Sequence, residues 1–441
     1  MNYQQSIDYI KKLTQFGMNF GLARIRKLLE LLGNPHESLK VVHVGGTNGK
    51  GSTSAMLSSI LIESGYTVGL FTSPHLHSYR ERFRINGEMI TEEDLASIIT
   101  RIKPFLEQMV ADGFEHPTEF EVGTAMAFVY FFEKRVDIVV LEVGLGGEID
   151  STNVVAEPLV SVITNVAMDH MDYLGDTVEK IASVKAGIIK HKRPVVTAAK
   201  KPEVLKILKE RSIKENAPFY RIDKDFGVQT IELSSTGSVF RICGLRGVYE
   251  NVKTPLLGEH QGENLSIAIV ISELLQKSGF EKITRATIYQ GAERVVWKGR
   301  LEIISENPLV LIDVAHNVDG ITTLKKALHT IFSHKPMTLV IGMLADKERE
   351  KALEIIASMA QRVIVTKPLS PRAGNWGEIT GMAKKYCQRV TTIPYVIDAV
   401  EAALHEMDPE GILVVTGSFY MVSEARRWLE ENKEKLKYCT N

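Results

Sequence analysis

A glycine-rich segment near the N-terminus combines the residue types that bind nucleotide phosphates. It reads GGTNGKGST over residues 45–53. Glycines allow backbone N–H groups to surround phosphate oxygens, Lys50 can neutralise a phosphate, and Ser52 or Thr53 can reach Mg²⁺. The spacing departs from G-x-x-x-x-G-K-[ST], because Val44 stands at its first position and a glycine follows the lysine. A simple strand-to-helix turn is the alternative, but the lysine and the hydroxyls favour a loop that binds nucleotide phosphates. We call residues 45–53 the phosphate loop.

Polar side chains also follow three further segments that are predicted to be strands. They are Ser73, Glu142 and the pair Asp169 and His170. Ligands of parallel sheets bind beyond the carboxyl ends of the strands, so these groups should meet the phosphate loop at one edge. A hydroxyl, a carboxylate and an imidazole fit Mg²⁺ imperfectly, since this ion prefers oxygen ligands. Each alone could be a turn cap, an ion-pair partner or a buried histidine, but their shared position favours a functional site.

A second group of candidate residues lies in the last third of the chain. Asp313 and His316 follow one predicted strand, and Ser418 follows another. Two strand edges that face each other would form a cleft between domains, which is a common place for a ligand site. Asp313 could also cap the next helix. Lys185 lies within a predicted helix, and its residue type alone indicates only a solvated lysine.

Short β-branched segments alternate with helical ones and define the elements that position these residues. The predicted strands cover 39–44, 67–71, 136–142, 158–166, 193–199, 309–314, 337–343, 362–367 and 412–417. Helices are predicted over 5–15, 21–32, 262–277 and 283–293. Continuous apolar strands separated by helices indicate an α/β protein with parallel sheets covered on both faces. Residues 219–257 favour antiparallel strands, and a second, smaller α/β domain is predicted from about residue 297.

Composition and charge exclude several classes of protein. The 441 residues include 53 Lys plus Arg and 54 Asp plus Glu, a net charge of −1, so no basic field attracts nucleic acid. Basic runs at 190–194 and 347–351 are short, and we interpret both as solvated surface. Cys243, Cys387 and Cys439 are widely separated, which fits a reducing cytoplasm. Without a signal segment or a stretch of ~20 apolar residues, we expect a soluble cytoplasmic monomer that binds neither membranes nor nucleic acid.

Ten motifs, spread in order over almost the whole chain, give a specific resemblance. They are HVGGTNGKGST (43–53), LFTSPHLHSYRERFRINGE (70–88), PTEFEVGTAMAF (117–128), LEVGLGGEIDSTNVV (141–155), ITNVAMDHMDYLG (163–175), KAGIIK (185–190), GEHQGENLSIAI (258–269), KGRLE (298–302), DVAHN (313–317) and VTGSFYMVSEAR (415–426). In these motifs the chain resembles the folylpolyglutamate synthase and dihydrofolate synthase family, within the Mur ligase superfamily. The resemblance implies a P-loop-type nucleotide-binding domain with a mostly parallel sheet over 1–296, and a smaller Rossmann-like glutamate ligase domain over 297–441.

The resemblance also implies a role for each matching residue. Nucleotide contacts are implied for Thr47, Asn48, Gly49, Lys50, Gly51, Ser52, Thr53, Asn264, Arg300 and Asp313. Magnesium ligands are implied to be Ser73 and Glu142 and, at a second ion, His170. Lys185 matches a lysine that is carboxylated in the family, which would turn a cation into an anionic ligand; with Lys50 and His316 it forms the implied catalytic set. Substrate contacts are implied for Thr118, Glu119, Phe120, Glu121, Ile149, Asp150, Ser151 and Ser418.

The implied activity is amide formation that depends on ATP and Mg²⁺. A carboxylate of dihydropteroate or of a reduced folate takes the γ-phosphoryl group of ATP, and the amino group of L-glutamate then displaces phosphate from the acyl phosphate. A folylpolyglutamate synthase without dihydrofolate synthase activity is the nearest alternative, although the TEFE and EIDS segments favour both activities. A Mur-type ligase fits less well, because residues 1–44 are too few for a UDP-binding domain and Val318 stands where a proline is expected. A nucleotide-dependent binding module would hydrolyse ATP without responding to glutamate or folates.

Overall fold

A mostly parallel sheet, which we call the large sheet, is the framework of the N-terminal domain. The structure is a computed structural model and describes residues 1–17 and 19–433. Its strands are β1 (Val41–Gly45), β2 (Val68–Phe71), β3 (Phe83–Ile85), β4 (Glu88–Met89), β5 (Ile138–Glu142), β6 (Val160–Ile163), β7 (Val195–Thr197) and β8 (Phe219–Arg221). Their order across the sheet is β4-β3-β2-β5-β1-β6-β7-β8, and the pairs that β3 forms are antiparallel. The predicted alternation of apolar strands and helices is confirmed, although the strands predicted over 158–166 and 193–199 are shorter.

Helices cover both faces of the large sheet. They are α1 (Tyr3–Leu13), α2 (Ala23–Leu31), α3 (Lys50–Glu63), α4 (Glu92–Ala111), α5 (Glu119–Glu133), α6 (Met171–Leu174), α7 (Val178–Ala186), α8 (Pro202–Lys214), α9 (His260–Lys277) and α10 (Arg285–Arg294). Val42 and Val140 pack in the cluster that contains α3 and α9, whereas Val41 and Val139 pack with α4 and α5. Because both faces are covered, β1 and β5 are buried at every position.

A small antiparallel sheet follows the large sheet in the chain. Its strands are β9 (Gly227–Ser234), β10 (Gly237–Cys243) and β11 (Val248–Thr254). The prediction of antiparallel structure over 219–257 is therefore confirmed for these strands. It is wrong at its start, because β8 pairs in parallel with β7, with Val195 opposite Phe219. A three-residue strand carries too little alternation to reveal its partner.

The C-terminal domain contains a second mostly parallel sheet. Its strands are β12 (Glu302–Glu306), β13 (Leu309–Asp313), β14 (Met337–Ile341), β15 (Ala360–Val365), β16 (Val390–Thr392) and β17 (Ile412–Thr416), in the order β12-β13-β17-β14-β15-β16. Helices on its two faces are α11 (Val318–Phe332), α12 (Arg349–Ile356), α13 (Glu378–Ala383), α14 (Val396–Glu406) and α15 (Phe419–Glu431). They enclose two apolar clusters, one on each side of β13, β14 and β17. The predicted α/β class is confirmed for both domains.

Two helices of the C-terminal domain begin at side chains that face the other domain. Asn317 Oδ1 accepts a hydrogen bond from Gly320 N at 2.8 Å and caps α11, and Ser418 Oγ accepts one from Met421 N at 3.2 Å and caps α15. The alternative in which Asp313 caps α11 is wrong, because Asn317 occupies that position. The caps fix both chain segments at the carboxyl edge of the sheet.

The helices in the described part of the chain are too short or too polar to cross a membrane. Cys243 and Cys387 are free thiols, and Cys387 is buried. The third cysteine of the sequence, Cys439, lies outside the described residues.

Candidate active site

A cavity of about 920 Å³ lies between the two domains, at the carboxyl ends of their strands. Most residues predicted to bind nucleotide or metal, or to act in catalysis, line this cavity, and so does one residue predicted to contact substrate. They are Thr47, Asn48, Gly49, Lys50, Gly51, Ser52, Ser73, Glu142, His170, Lys185, Asn264, Arg300, Asp313, His316 and Ser418. Thr53 is fully buried in α3, behind the loop. Side chains from both sheets thus converge on a single cleft.

The loop between β1 and α3 is shaped to approach an anion closely. Gly46 has a φ of +137°, and a Cβ there would lie 1.9 Å from Thr164 Oγ1, so only glycine lets the loop pass β6 at this distance. Lys50 Nζ donates to the carbonyl oxygens of Gly46 at 3.2 Å and Thr47 at 3.1 Å. Its ammonium group is thereby held over the loop, beside the positive end of the α3 dipole. A phosphate at this position would meet both charges.

The same loop contacts the C-terminal domain through Asn48. Asn48 Nδ2 donates to Asp319 Oδ2 at 2.7 Å and to Asn317 Oδ1 at 3.2 Å. Asn317 Nδ2 donates back to Asn48 Oδ1 at 3.1 Å. Asn165, which follows β6, also donates to Asp319 Oδ2 at 3.2 Å. The conformation of the loop is therefore coupled to the position of α11.

Ser73 and Glu142 lie together at the ends of β2 and β5. The Ser73 N–H donates to Glu142 Oε2 at 3.1 Å, and Glu142 is only 4% exposed. Burial raises the pKa of Glu142, an effect that Lys50, the Ser73 N–H and Arg300 partly oppose. No group of three His, Cys, Asp or Glu side chains in the described residues could hold a metal by itself. One carboxylate and one hydroxyl fit Mg²⁺, which takes its other oxygens from phosphates and water.

His170 occupies the left-handed region, with φ 52°, at the start of α6. Burial lowers its pKa to about 4, with Lys347 and His316 contributing and Asp169 opposing. The imidazole is therefore neutral near pH 7 and keeps a lone pair that a metal ion can use. This chemistry fits the predicted ligand role.

Lys185 is buried beside the phosphate loop rather than solvated. Its Nζ donates to Gly46 O at 2.9 Å, and the residue is 4% exposed. Burial and the nearby Lys50 lower the pKa of Lys185 to about 7. A large fraction of this amine is then neutral near pH 7, which is the form that reacts with CO₂.

Arg300 and Asp313 lie on the opposite wall. Asp313 accepts hydrogen bonds from the N–H groups of Leu301 and Ala315, both at 2.7 Å, and these bonds fix the turn that carries Arg300. The Arg300 guanidinium lies 5.2 Å from the centre of the Phe419 ring. In residues 1–17 and 19–433 no carboxylate comes within 4.0 Å of it, so it is available to a ligand.

Family models and solved relatives match the chain over the parts that form this cleft. The Mur ligase middle domain model matches residues 44–272, and the model of the Mur ligase glutamate ligase domain matches 299–419. The dihydrofolate synthase/folylpolyglutamate synthase of Bacillus subtilis (strain 168) is 35% identical over 97% of this chain and 99% of its own length. The chain belongs to the folylpolyglutamate synthase family of Mur ligases.

Two further relatives support this membership. The folylpolyglutamate synthase of Lacticaseibacillus casei is 37% identical over 97% of this chain and 99% of its own length. The folylpolyglutamate synthase of Mycobacterium tuberculosis, solved in complex with ADP, is 31% identical, with a TM-score of 0.90 over 97% of this chain and 99% of that one. Members of the family with these names are ligases, so this chain is an enzyme of the ligase class.

The TEFE segment of this family member forms a helix start behind the cavity. Thr118 Oγ1 caps α5, and the Glu121 side chain accepts a hydrogen bond from Thr118 N at 2.8 Å. Glu121 also pairs with Arg24 at 3.1 Å, with both side chains largely buried. Neither Thr118 nor Glu121 lines the cavity. The T-x-x-E spacing is itself the signature of a capping box, a local signal that the sequence carried.

The remaining residues that were predicted to contact substrate are likewise held by contacts within the protein. Asp150 accepts hydrogen bonds from Leu145 N at 2.7 Å and Thr152 N at 3.0 Å, and the Ser151 hydroxyl bonds the Thr124 hydroxyl at 2.7 Å. Phe120 and Ile149 pack in apolar clusters, and Glu119 pairs with an arginine described below. Of this set only Ser418 lines the cavity, and the others brace its wall.

Lys347 is a residue of the cleft that sequence analysis missed. The interpretation of 347–351 as solvated surface is wrong there, because the Lys347 side chain is 4% exposed and lines the cavity. Arg349 in the same run is also buried, and it donates to backbone carbonyls such as Leu344 O at 3.0 Å. The signal available in the sequence was that Lys347 lies in the loop that follows β14, because the carboxyl ends of the strands also position Ser73 and Glu142.

Proposed function

We propose that this chain is a Mg²⁺- and ATP-dependent ligase that joins L-glutamate to dihydropteroate and to reduced folates. The observation that carries the proposal is the convergence of the phosphate loop, Glu142 and Lys185 on a cleft that His316 and Ser418 enter from the other domain. The name of the Bacillus subtilis relative, which includes both activities, supports the two acceptors. The ADP complex of the Mycobacterium tuberculosis relative supports a nucleotide site in the same family.

The first chemical step is phosphoryl transfer to the acceptor acid. Lys50 and the α3 N-terminus bind the phosphates of ATP, and Arg300 approaches the nucleotide from the C-terminal domain. Ser73 and Glu142 would hold one Mg²⁺ and His170 a second; when bound, magnesium neutralises charge on the phosphates. A carboxylate oxygen of the acceptor attacks the γ-phosphorus, the bond to the ADP oxygen breaks, and an acyl phosphate forms.

The second step forms the amide bond. The neutral amino group of L-glutamate attacks the acyl carbon, inorganic phosphate leaves, and the nitrogen loses a proton. His316 and Ser418 reach the cleft from β13 and β17 and are proposed to position this glutamate. Two contacts fix the orientation of the His316 ring: Nδ1 lies 2.9 Å from Val314 O, and Nε2 lies 3.5 Å from Asp169 Oδ2.

We also propose that Lys185 is carboxylated. Its amine nitrogen would form a bond to the carbon of CO₂ and release a proton, giving an anionic carbamate next to the phosphate loop. The lowered pKa of Lys185 supports this reaction, since a neutral amine is required. Intact-protein mass spectrometry under CO₂ should find one added carboxyl group in the wild type and none in Lys185→Met. A wild-type enzyme that gains no carboxyl group under CO₂, and whose activity does not change when bicarbonate is added or removed, would contradict the proposal.

The test of the activity is phosphate release from Mg·ATP that depends on glutamate, with dihydropteroate and tetrahydrofolate as separate acceptors. Activity with both supports the bifunctional ligase. Activity with tetrahydrofolate alone reduces it to a folylpolyglutamate synthase. Release that ignores glutamate indicates a nucleotide-dependent binding module. Activity only with a UDP-linked acid would indicate a Mur-type ligase.

The domain boundary at 296/297 is also a proposal. It is supported by the end of α10 at Arg294 and the start of β12 at Glu302. The monomeric state and the cytoplasmic location expected from the sequence stay predictions. Size-exclusion chromatography with light scattering tests the first, and fractionation of the source cells tests the second.

A further inference from the structure

Arg82 lies beside the proposed phosphoryl-transfer site, immediately before β3, the strand that pairs with β2. Phe71 at the end of β2 is opposite Phe83, and the Thr72 N–H donates to Arg82 O at 3.2 Å. Thr72 immediately precedes Ser73. The backbone of Arg82 therefore runs directly alongside the segment that carries Ser73.

Three neighbours hold the guanidinium of Arg82 in one orientation. Its Nε donates to His75 Nδ1 at 3.1 Å, and its Nη1 donates to Glu119 Oε1 at 3.2 Å. Its Cζ lies 4.7 Å from the centre of the Tyr79 ring. The side chain is 11% exposed, so these contacts form in a largely water-free place. An arginine fixed in this way loses little conformational freedom when it binds a ligand.

One edge of the guanidinium is left for a ligand. In the part of the chain that the structure describes, Arg82 Nη2 has no hydrogen-bond partner, although Arg82 lines the cavity together with Ser73 and Glu142. A guanidinium binds a carboxylate with two parallel N–H donors, and a fixed, partly desolvated one does so strongly. The free edge therefore fits an anionic, planar group held next to the reacting carboxylate.

We propose that Arg82 binds the α-carboxylate of the terminal glutamate of a folate acceptor, which places the γ-carboxylate of the same glutamate at Ser73 and Glu142. The proposal rests on the ligase function given above. It makes Arg82 a specificity-determining residue for the second and later glutamates. Dihydropteroate ends in a benzoate and has no α-carboxylate, so its use depends less on Arg82.

The test combines a change in the enzyme with a change in the substrate. Wild type and Arg82→Gln are assayed for glutamate-dependent phosphate release with tetrahydrofolate and with tetrahydropteroyl-4-aminobutyrate, whose tail keeps the reacting carboxylate but lacks the α-carboxylate. For the wild type, kcat/KM should favour tetrahydrofolate roughly 100-fold, as expected for a desolvated charge pair. The variant should retain a preference of less than about 10-fold.

Controls separate this proposal from a structural role and from the ligase function. Arg80→Gln removes a neighbouring arginine that pairs with Glu92 at 3.4 Å outside the cavity, and it should keep the wild-type preference. Equal losses with both acceptors in Arg82→Gln would mean a structural role and would overturn the proposal. If that variant does not fold, Arg82→Lys decides: a reduced preference supports the proposal and a full preference overturns it. A wild type that is inactive with every acceptor would instead refute the ligase function.

Discussion

Lys347 Nζ lies 2.5 Å from Asp169 Oδ1, and this ion pair joins the two domains across the cleft. The two side chains are 4% and 7% exposed. Asp169 Oδ2 also accepts a hydrogen bond from Asn317 Nδ2 at 2.9 Å. Burial alone would raise the pKa of Asp169, but its contact with His316 and the charges of His316, His170 and Lys347 hold it well below the usual range. The carboxylate therefore stays ionised and joins two loops of the C-terminal domain, the β13–α11 loop and the loop after β14, to the loop that follows β6.

Replacing Lys347 should weaken the contact between the domains. In Lys347→Met, Asp169 keeps Asn317 but loses its cation, and an uncompensated buried charge costs about 3 kcal/mol. We expect kcat/KM for glutamate-dependent phosphate release to fall by roughly 100-fold, because the weaker docking of the two domains no longer fixes His316 opposite the phosphate loop. Small-angle scattering of the free enzyme should find a larger radius of gyration.

Lys351 provides the matched control for this variant. It belongs to the same basic run, its side chain is 67% exposed, and it pairs with Glu348 on the surface. Lys351→Met should change activity less than about twofold, since exposed ion pairs contribute little. Wild-type activity in Lys347→Met would mean that the ion pair does not position the cleft.

Gly49 should be required for nucleotide binding, for a reason that Gly65 does not share. Both have positive φ, +84° and +75°, but a Cβ at Gly49 would lie 2.4 Å from Asn264 Oδ1, whereas nothing lies within 4 Å of one at Gly65. Each alanine variant should lose about 1 kcal/mol of stability to backbone strain. Only Gly49→Ala should raise the KM for ATP, by roughly 10-fold or more, because Asn264 must move. Equal KM values in the two variants would contradict this explanation.

The part of the site that sequence analysis predicted is the part that strand ends determine. Ser73, Glu142 and His170 follow strands of one parallel sheet, so topology alone brings them to a common edge. The burial of Lys185 against Gly46 O did not follow from its helical segment, because nothing in the periodicity of that segment separates a solvated lysine from a buried one. The partner of Lys347 lies 178 residues away in the chain. Such a contact depends on how the domains dock, which many weak interactions set together.

Arg426 should contribute more to stability than any exposed arginine. Its side chain is 2% exposed and donates to Glu302 at 2.8 Å and Glu430 at 2.6 Å. Glu302 in turn accepts a hydrogen bond from Gly299 N at 2.7 Å, so the turn before Arg300 depends on this pair. Arg426→Met should lower the free energy of unfolding by about 3 kcal/mol, the low end for a broken buried pair, since 21% of the Glu302 side chain is exposed.

Urea unfolding measures this loss, and Arg241→Met is the comparison. Arg241 pairs with Glu250 at 2.9 Å, with 39% and 53% of the two side chains exposed. Its removal should cost much less stability than the loss of Arg426, since exposed ion pairs contribute little. Similar losses in the two variants would mean that burial adds nothing to the Arg426 pair.

His43 should make the protein less stable in mild acid. This fully buried residue of β1 shares a hydrogen bond between its Nε2 and Thr152 Oγ1 at 2.8 Å, and the Thr152 hydroxyl donates to Asp150. The Thr152 oxygen therefore accepts a hydrogen bond from His43 Nε2–H. In the described residues His43 Nδ1 has no hydrogen-bond partner, so a second proton on the ring would have no acceptor. Burial, with a contribution from Lys190, lowers the pKa of His43 from 6.5 to about 3.

The sign of this effect follows from proton uptake. Between these two pKa values the unfolded chain binds a proton at His43 that the folded protein does not, so stability falls as the pH falls from 6.5 towards 3. From about pH 6.5 to about pH 5 this group should remove about 2 kcal/mol. Urea unfolding of His43→Gln at these two pH values should lack that part of the loss, whereas His334→Gln, which changes an exposed histidine, should keep the wild-type dependence. Identical pH slopes in wild type and His43→Gln would mean that His43 is protonated in the folded protein.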